Sequence, residues 1–192
     1  MDTQLFYIFL LVHLLSLIVG FGAVLVIDSV GLLWLLKKTR TSFVSKLAQI
    51  TQRLIWLGWS GLVISGIWLI TLKGYVDNLT KIKLFFVLML GVNGIYMHYI
   101  RKIFKRMGDG REMTDLLKFR IGLATAVSQL GWWGAITIGF LHRNWRHDIP
   151  WPNNPWFIVL IIVLVILIVE LTGEIYFSRQ HLRGEAKKVS DL

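Results

Sequence analysis

Apolar residues are grouped along the chain into five long runs, separated by polar stretches rich in lysine and arginine. Each run approaches the roughly 20 residues that a helix needs to cross a bilayer. The pattern therefore predicts an all-α fold, an integral membrane helical bundle of five transmembrane helices. We expect these helices at about residues 5–36, 54–72, 84–100, 120–141 and 156–178. No repeat or linker divides the chain, so residues 1–192 are predicted to form a single transmembrane domain.

Composition also favours a membrane protein, with the lipid bilayer as its main partner. Of the 192 residues, 55% are hydrophobic and 17% are charged, whereas about a quarter of the residues in soluble domains are charged. The chain has no cysteine, which excludes disulfides and thiolate metal ligands. The N-terminal sequence MDTQLFYIF lacks the basic region of a signal peptide, so we expect the first apolar run to remain as a helix.

The net charge of +10 is spread over the segments between the apolar runs. No basic patch is interleaved with exposed aromatic residues, so we do not expect nucleic-acid binding. Lysine and arginine are concentrated in residues 37–53, residues 101–120 and the stretch after 177, and they are fewer in the alternate segments. The positive-inside rule then predicts the N-terminus outside and the C-terminus in the cytoplasm. We expect a multi-pass protein of a bacterial inner membrane.

The first apolar run carries two ionisable side chains, His13 and Asp28. At about 100° per residue both fall on the same face as Ser16 and Gly20, and this face should pack against other helices. Ionisable groups inside a membrane indicate a functional site.

A layer of polar side chains is predicted in the inner half of the bilayer. Counting about 1.5 Å per residue from the inner basic boundary of each helix places four of them at roughly 12–14 Å. These four are Asp28, Asn93, Gln129 and Glu170, with Ser60 close to that level and Glu174 lower on the same side. The layer can act as hydrogen-bonding glue between helices or as a path for protons or cations. Together with His98 its carboxylates could also form a metal site.

A second group of candidates lies near the outer surface. His13 and His142 are predicted at roughly 33–36 Å from the inner boundary, and His147 follows in the outer loop. Imidazoles at one level can ligate a haem iron or a divalent transition metal. Each histidine also has a structural interpretation, as a packing or interfacial residue, and His142 points away from Gln129 on its helix.

Three stretches carry a resemblance to a known group: VHLLSLIVGFGAVLVID, SGIWLI and KIKLFFVLMLGVNGIYMH. Together they resemble the membrane superfamily of copper-resistance D-type domains and haem-binding protoporphyrinogen-oxidase J-type proteins, over about the first hundred residues. The resemblance implies a helical bundle with an early histidine in helix one and a lysine opening helix three. These would be His13 and Lys83, with Lys81 as the nearby alternative. It further implies that His13 serves a haem iron. Asn93 stands where some relatives carry another histidine, and it joins the candidate cofactor contacts.

We therefore predict a membrane-embedded protein that binds b-type haem or another redox metal centre and transfers electrons to a redox partner. His13 would be an axial ligand on the outer side, with His142 or His98 as the second, or with His142 and His147 around a metal ion. No nucleophile–base pair stands out, so binding or redox is favoured over catalysis, and an oxidoreductase-like activity stays open. The alternatives are a proton or cation transporter using the layer from Asp28 to Glu170, and a non-catalytic scaffold that forms homo-oligomers.

Overall fold

The computed structural model describes residues 3–36, 38–107, 113–144 and 153–190, with side chains except at residues 3, 104–107, 142–143 and 181–190. These ranges hold five helices: α1 (Thr3–Leu35), α2 (Thr41–Lys73), α3 (Asn78–Met107), α4 (Asp115–Asn144) and α5 (Pro155–Ser190). Each is long and apolar enough to cross a membrane. The all-α prediction and its five apolar helices are thus confirmed, and they indicate a multi-pass membrane protein.

The helices extend beyond the predicted apolar runs, most of all at the start of α2. This helix begins at Thr41 rather than near residue 54, so much of the expected basic loop is helical. The apolar run marks only the part of a helix that matches hydrocarbon, whereas the preceding lysine, leucine, alanine and glutamine residues are good helix formers. The extension also buries Val44 and Thr51. At the other end α2 stops at Gly74, which adopts the left-handed conformation with φ 77°.

The helices pack as two hairpins with a fifth helix beside them. The contacts of α1 with α2 and of α3 with α4 are the most extensive, while α2 meets α3 more lightly. The fifth helix packs on α3 and α4. Consecutive helices run antiparallel: Trp34 donates to Thr41 at one end of the first hairpin, and Phe9 stacks on Trp68 near the other.

Glycines allow the closest approaches between helices. The backbones of α1 and α2 cross at Gly20 and Gly58, where a Cβ atom on Gly58 would lie 2.5 Å from the Cα atom of Gly20. Between α3 and α4, a Cβ atom on Gly131 would lie 2.7 Å from the Leu90 side chain. Small residues therefore mark these helix contacts.

The centre of the bundle is one apolar cluster to which four helices contribute one residue each. Val24, Leu62, Leu90 and Trp132 come from α1 to α4 in order, and Trp132 is only 1% exposed. This central cluster joins the two hairpins and separates the two ends of the bundle.

The fifth helix is peripheral. Its contacts with α3 and α4 involve Ile158 and Ile162, which pack against Ile82 and Phe86. No residue of its most apolar stretch, within the described part of α5, is buried. Most of its other aliphatic side chains face outward, where lipid would solvate them.

Candidate functional site

His13 is held against α2 by a hydrogen bond. Its Nδ1 atom lies 2.9 Å from the hydroxyl oxygen of Ser65, and Ser65 is itself only 1% exposed. His13 is half-buried, whereas the two residues on either side of it in the sequence, 11–12 and 14–15, are exposed. The bond connects the histidine of the first apolar run to a buried serine of α2 that is not among the predicted site residues.

The hydroxyl of Ser65 bonds both to the His13 ring and to a backbone carbonyl, and this arrangement favours one imidazole tautomer. Ser65 donates to the carbonyl oxygen of Gly61 at 2.5 Å. A hydroxyl has a single hydrogen, so when Ser65 donates it to Gly61, the hydroxyl oxygen accepts from His13 and Nδ1 is the protonated ring nitrogen. The Nε2 atom then keeps its lone pair, which is the form in which imidazole binds metals. Metal-ligating histidines commonly donate their other ring hydrogen in this manner.

Lys83 lies on α3, toward the same end of the bundle as His13. Glycines flank both side chains: a Cβ atom on Gly66 would lie 3.7 Å from His13 Cε1, and one on Gly139 would lie 3.4 Å from Lys83 Nζ. Lys81, the alternative lysine, instead donates to Asn78 at the start of α3. His13 and Lys83 thus lie toward the same end of the bundle, one on each hairpin.

The other candidate histidines lie elsewhere or outside the described residues. His98 is 15 residues beyond Lys83 on α3, which is about 22 Å along the helix, and its Nδ1 atom lies 3.4 Å from Gln52 Nε2. His98 is therefore far from His13. Position 142 follows Gly139 by three residues in α4, but its side chain is not described, and His147 lies outside the described residues.

The members of the predicted inner layer form separate links between helices. Gln129 donates to Asp28 Oδ2 at 2.5 Å and accepts from Trp133 at 3.1 Å, which ties α4 to α1. Asn93 donates to the carbonyl oxygen of Ala124 at 2.8 Å, which ties α3 to α4. These bonds satisfy polar groups inside the bundle and cross-link its helices.

The remaining members of the layer, Glu174, Ser60 and Glu170, differ in their contacts and exposure. Glu174 accepts two bonds from Arg120, at 2.5 and 2.9 Å, and so joins α5 to α4. Ser60 faces outward, and Glu170 is half-buried. Within the described part of the chain, no three histidine or acidic side chains are grouped to hold a metal ion. The carboxylate-rich metal site considered from the sequence is not formed there.

A cavity of about 330 Å³ lies between the two hairpins, and the sequence analysis did not foresee it. It extends from the central cluster toward the end of the bundle that carries Arg53, Arg101 and Arg120, which we call the arginine end. Its walls are mainly apolar and include Trp56 and Trp59. Trp56 and Trp59 lie three residues apart on α2 and therefore share one face of that helix. This spacing is the feature of the sequence that could have indicated the cavity. Asp28 and Asn93 also line the cavity.

A scan of the chain against protein-family models and searches among curated proteins and solved structures find no match.

Proposed function

We propose that the protein binds b-type haem within the membrane, with His13 as an axial ligand of the iron. The observation that supports this most directly is the Ser65 hydrogen bond, which leaves the Nε2 lone pair of His13 available. The donor set fits the group, because neutral imidazole is a standard haem ligand. A bound haem would supply one-electron redox chemistry. The protein would then pass electrons to or from a redox partner, in an oxidoreductase-like role.

Lys83 is proposed to hold a haem carboxylate. It lies on the opposite hairpin from His13, toward the same end of the bundle. A lysine ammonium pairs with a carboxylate as a point charge, and haem carries two propionates. His142 would be the second ligand of the iron. Its position in α4 is one helical turn beyond Gly139, and a Cβ atom on Gly139 would lie 3.4 Å from Lys83 Nζ.

The proposed orientation puts this site on the outer side of a bacterial inner membrane. Lysine and arginine are concentrated in residues 37–53 and 101–120 and in the C-terminal part of α5 after residue 177. This supports a cytoplasmic C-terminus and an external N-terminus. His13, near the N-terminal end of α1, would then lie toward the external face, where its redox partner would dock.

The absorption spectrum of the purified protein tests the proposal. The protein is produced with a supplied haem precursor, purified in detergent, and measured for a Soret band and for haem content per chain. We expect one haem per chain, held through an imidazole nitrogen. A colourless protein under these conditions, folded by circular dichroism, contradicts the proposal.

Ser65→Ala should weaken haem binding without removing the ligand. Loss of the hydroxyl frees the imidazole to rotate and to change its tautomer, and changes of this kind cost about 10–100-fold in affinity. The measurement is a haem titration of the apoprotein. Ser60→Ala is the matched control on the same helix, because Ser60 faces outward, and it should bind haem as the wild type does. Equal affinity in Ser65→Ala would show that the bond does not position His13.

A second candidate function, transport of protons or cations, rests on Asp28. This carboxylate lines the cavity at the arginine end. The central cluster of Val24, Leu62, Leu90 and Trp132 closes the cavity toward the other end, so transport would require that cluster to open. In proteoliposomes this function predicts a proton or cation flux that Asp28→Asn abolishes. Absence of flux in the wild type rules it out and leaves the haem proposal unaffected.

A further inference from the structure

A second, polar pocket opens at the arginine end, between α2 and α3. Its volume is about 440 Å³. Its lining is entirely polar or aromatic: Gln49, Gln52, Arg53, Trp56, His98 and Arg101. None of these residues belongs to the haem site proposed above.

The pocket has positive charge and free hydrogen-bond donors. No Asp or Glu lines it, and neither Arg53 nor Arg101 takes part in the ion pairs found among the described residues. Guanidinium groups carry five donors in a planar fork that matches the oxygens of a phosphate. Gln52 and His98 add further polar hydrogens. The chemistry of this pocket therefore suits a phosphate group.

The polar pocket adjoins the apolar cavity. Gln52, Trp56 and Arg101 line both of them. A ligand that fills the two spaces must carry a phosphate at one end and a long apolar chain at the other. Inorganic phosphate would fill only the polar part.

The position of the pocket along the helices matches the headgroup level of a bilayer. Arg53 and Arg101 stand where the apolar runs of α2 and α3 meet polar sequence. Trp56 is one turn further in, and tryptophan is enriched at this interface. Basic pockets between transmembrane helices are known sites for anionic lipid headgroups.

We propose that an anionic glycerophospholipid binds between α2 and α3, with its phosphate on Arg53 and Arg101 and one acyl chain in the apolar cavity. Asp28 also lines the cavity, and one of its carboxylate oxygens already accepts a hydrogen bond from Gln129 at 2.5 Å. The lipid would fill the space between the hairpins that side chains leave open.

Native mass spectrometry of the detergent-purified protein tests the proposal, with phosphatidylglycerol, phosphatidylcholine or inorganic phosphate added. We expect one phosphatidylglycerol per chain to survive detergent removal and phosphatidylcholine to be lost. Arg101→Gln should lower the retained phosphatidylglycerol about tenfold, the loss expected for a charge-assisted hydrogen bond. Arg179→Gln is the matched control, because Arg179 is exposed on α5 and lines neither space.

A cavity-filling variant separates a lipid from a free phosphate. Ala48 lines the apolar cavity but not the polar pocket, so Ala48→Phe should exclude the acyl chain while leaving both arginines in place. Loss of phosphatidylglycerol in this variant, with wild-type circular dichroism, supports the proposal. Three results overturn it: equal retention of phosphatidylcholine, equal loss in Arg179→Gln, or retention of phosphatidylglycerol in Ala48→Phe.

Discussion

Gly58→Ala is expected to lower the melting temperature of the purified protein by about 6–12 °C, from a cost near 3 kcal/mol. The reason is the crossing of α1 and α2. A Cβ atom on Gly58 would lie 2.5 Å from both the Cα and the N atoms of Gly20, and 2.7 Å from the carbonyl oxygen of Ser16. These are backbone atoms, so no rotation of a side chain relieves the contact, and the two helices must separate.

The matched control for this variant is Gly22→Ala. A Cβ atom there meets nothing within 4 Å, and alanine is favoured over glycine in a helix by about 1 kcal/mol. Its melting temperature should equal or slightly exceed that of the wild type. Thermal unfolding followed by tryptophan fluorescence measures both. If Gly58→Ala melts like Gly22→Ala, α1 and α2 do not cross as described.

His13→Ala is expected to abolish haem retention while leaving the fold intact. The substitution removes the imidazole whose Nε2 lone pair is the proposed iron ligand. Ser65 keeps its bond to Gly61, so no buried hydroxyl is left without a partner. The melting temperature of the haem-free protein should therefore change little, and the Soret band should be lost.

His98→Ala provides the matched control, because it also removes one imidazole. His98 lies near Gln52 at the arginine end, about 22 Å along α3 from Lys83. This variant should retain its haem. Loss of haem in both variants, or in His98→Ala alone, would remove His13 from the proposed site.

Much of the fold could be predicted because the relevant signals are local. Apolar runs near the length of a bilayer identify membrane-spanning helices, and all five are present. The start of α2 could not be predicted in this way, because residues 41–53 mix polar and apolar side chains. That segment is helical through its good helix formers and through the burial of Thr51 and Val44.

Contacts in the candidate site could be predicted only where the depth of a residue in the bilayer is enough to identify its partner. Counting residues placed Asp28 and Gln129 at one level, and the two side chains are hydrogen-bonded in the structure. The same counting cannot show which faces of two helices meet. For this reason it missed the bond from His13 to Ser65, and it could not show that two hairpins leave a cavity beside Trp56 and Trp59.

The most direct test of the haem proposal is rescue of a His13→Gly variant by free imidazole. Removing the side chain leaves a space beside Ser65 into which imidazole can diffuse and bind the iron in place of the histidine ring. The variant should purify without a Soret band, and the band should return when haem and imidazole are added together but not with haem alone. A wild-type Soret band in His13→Gly without imidazole would contradict the assignment of His13 as the axial ligand.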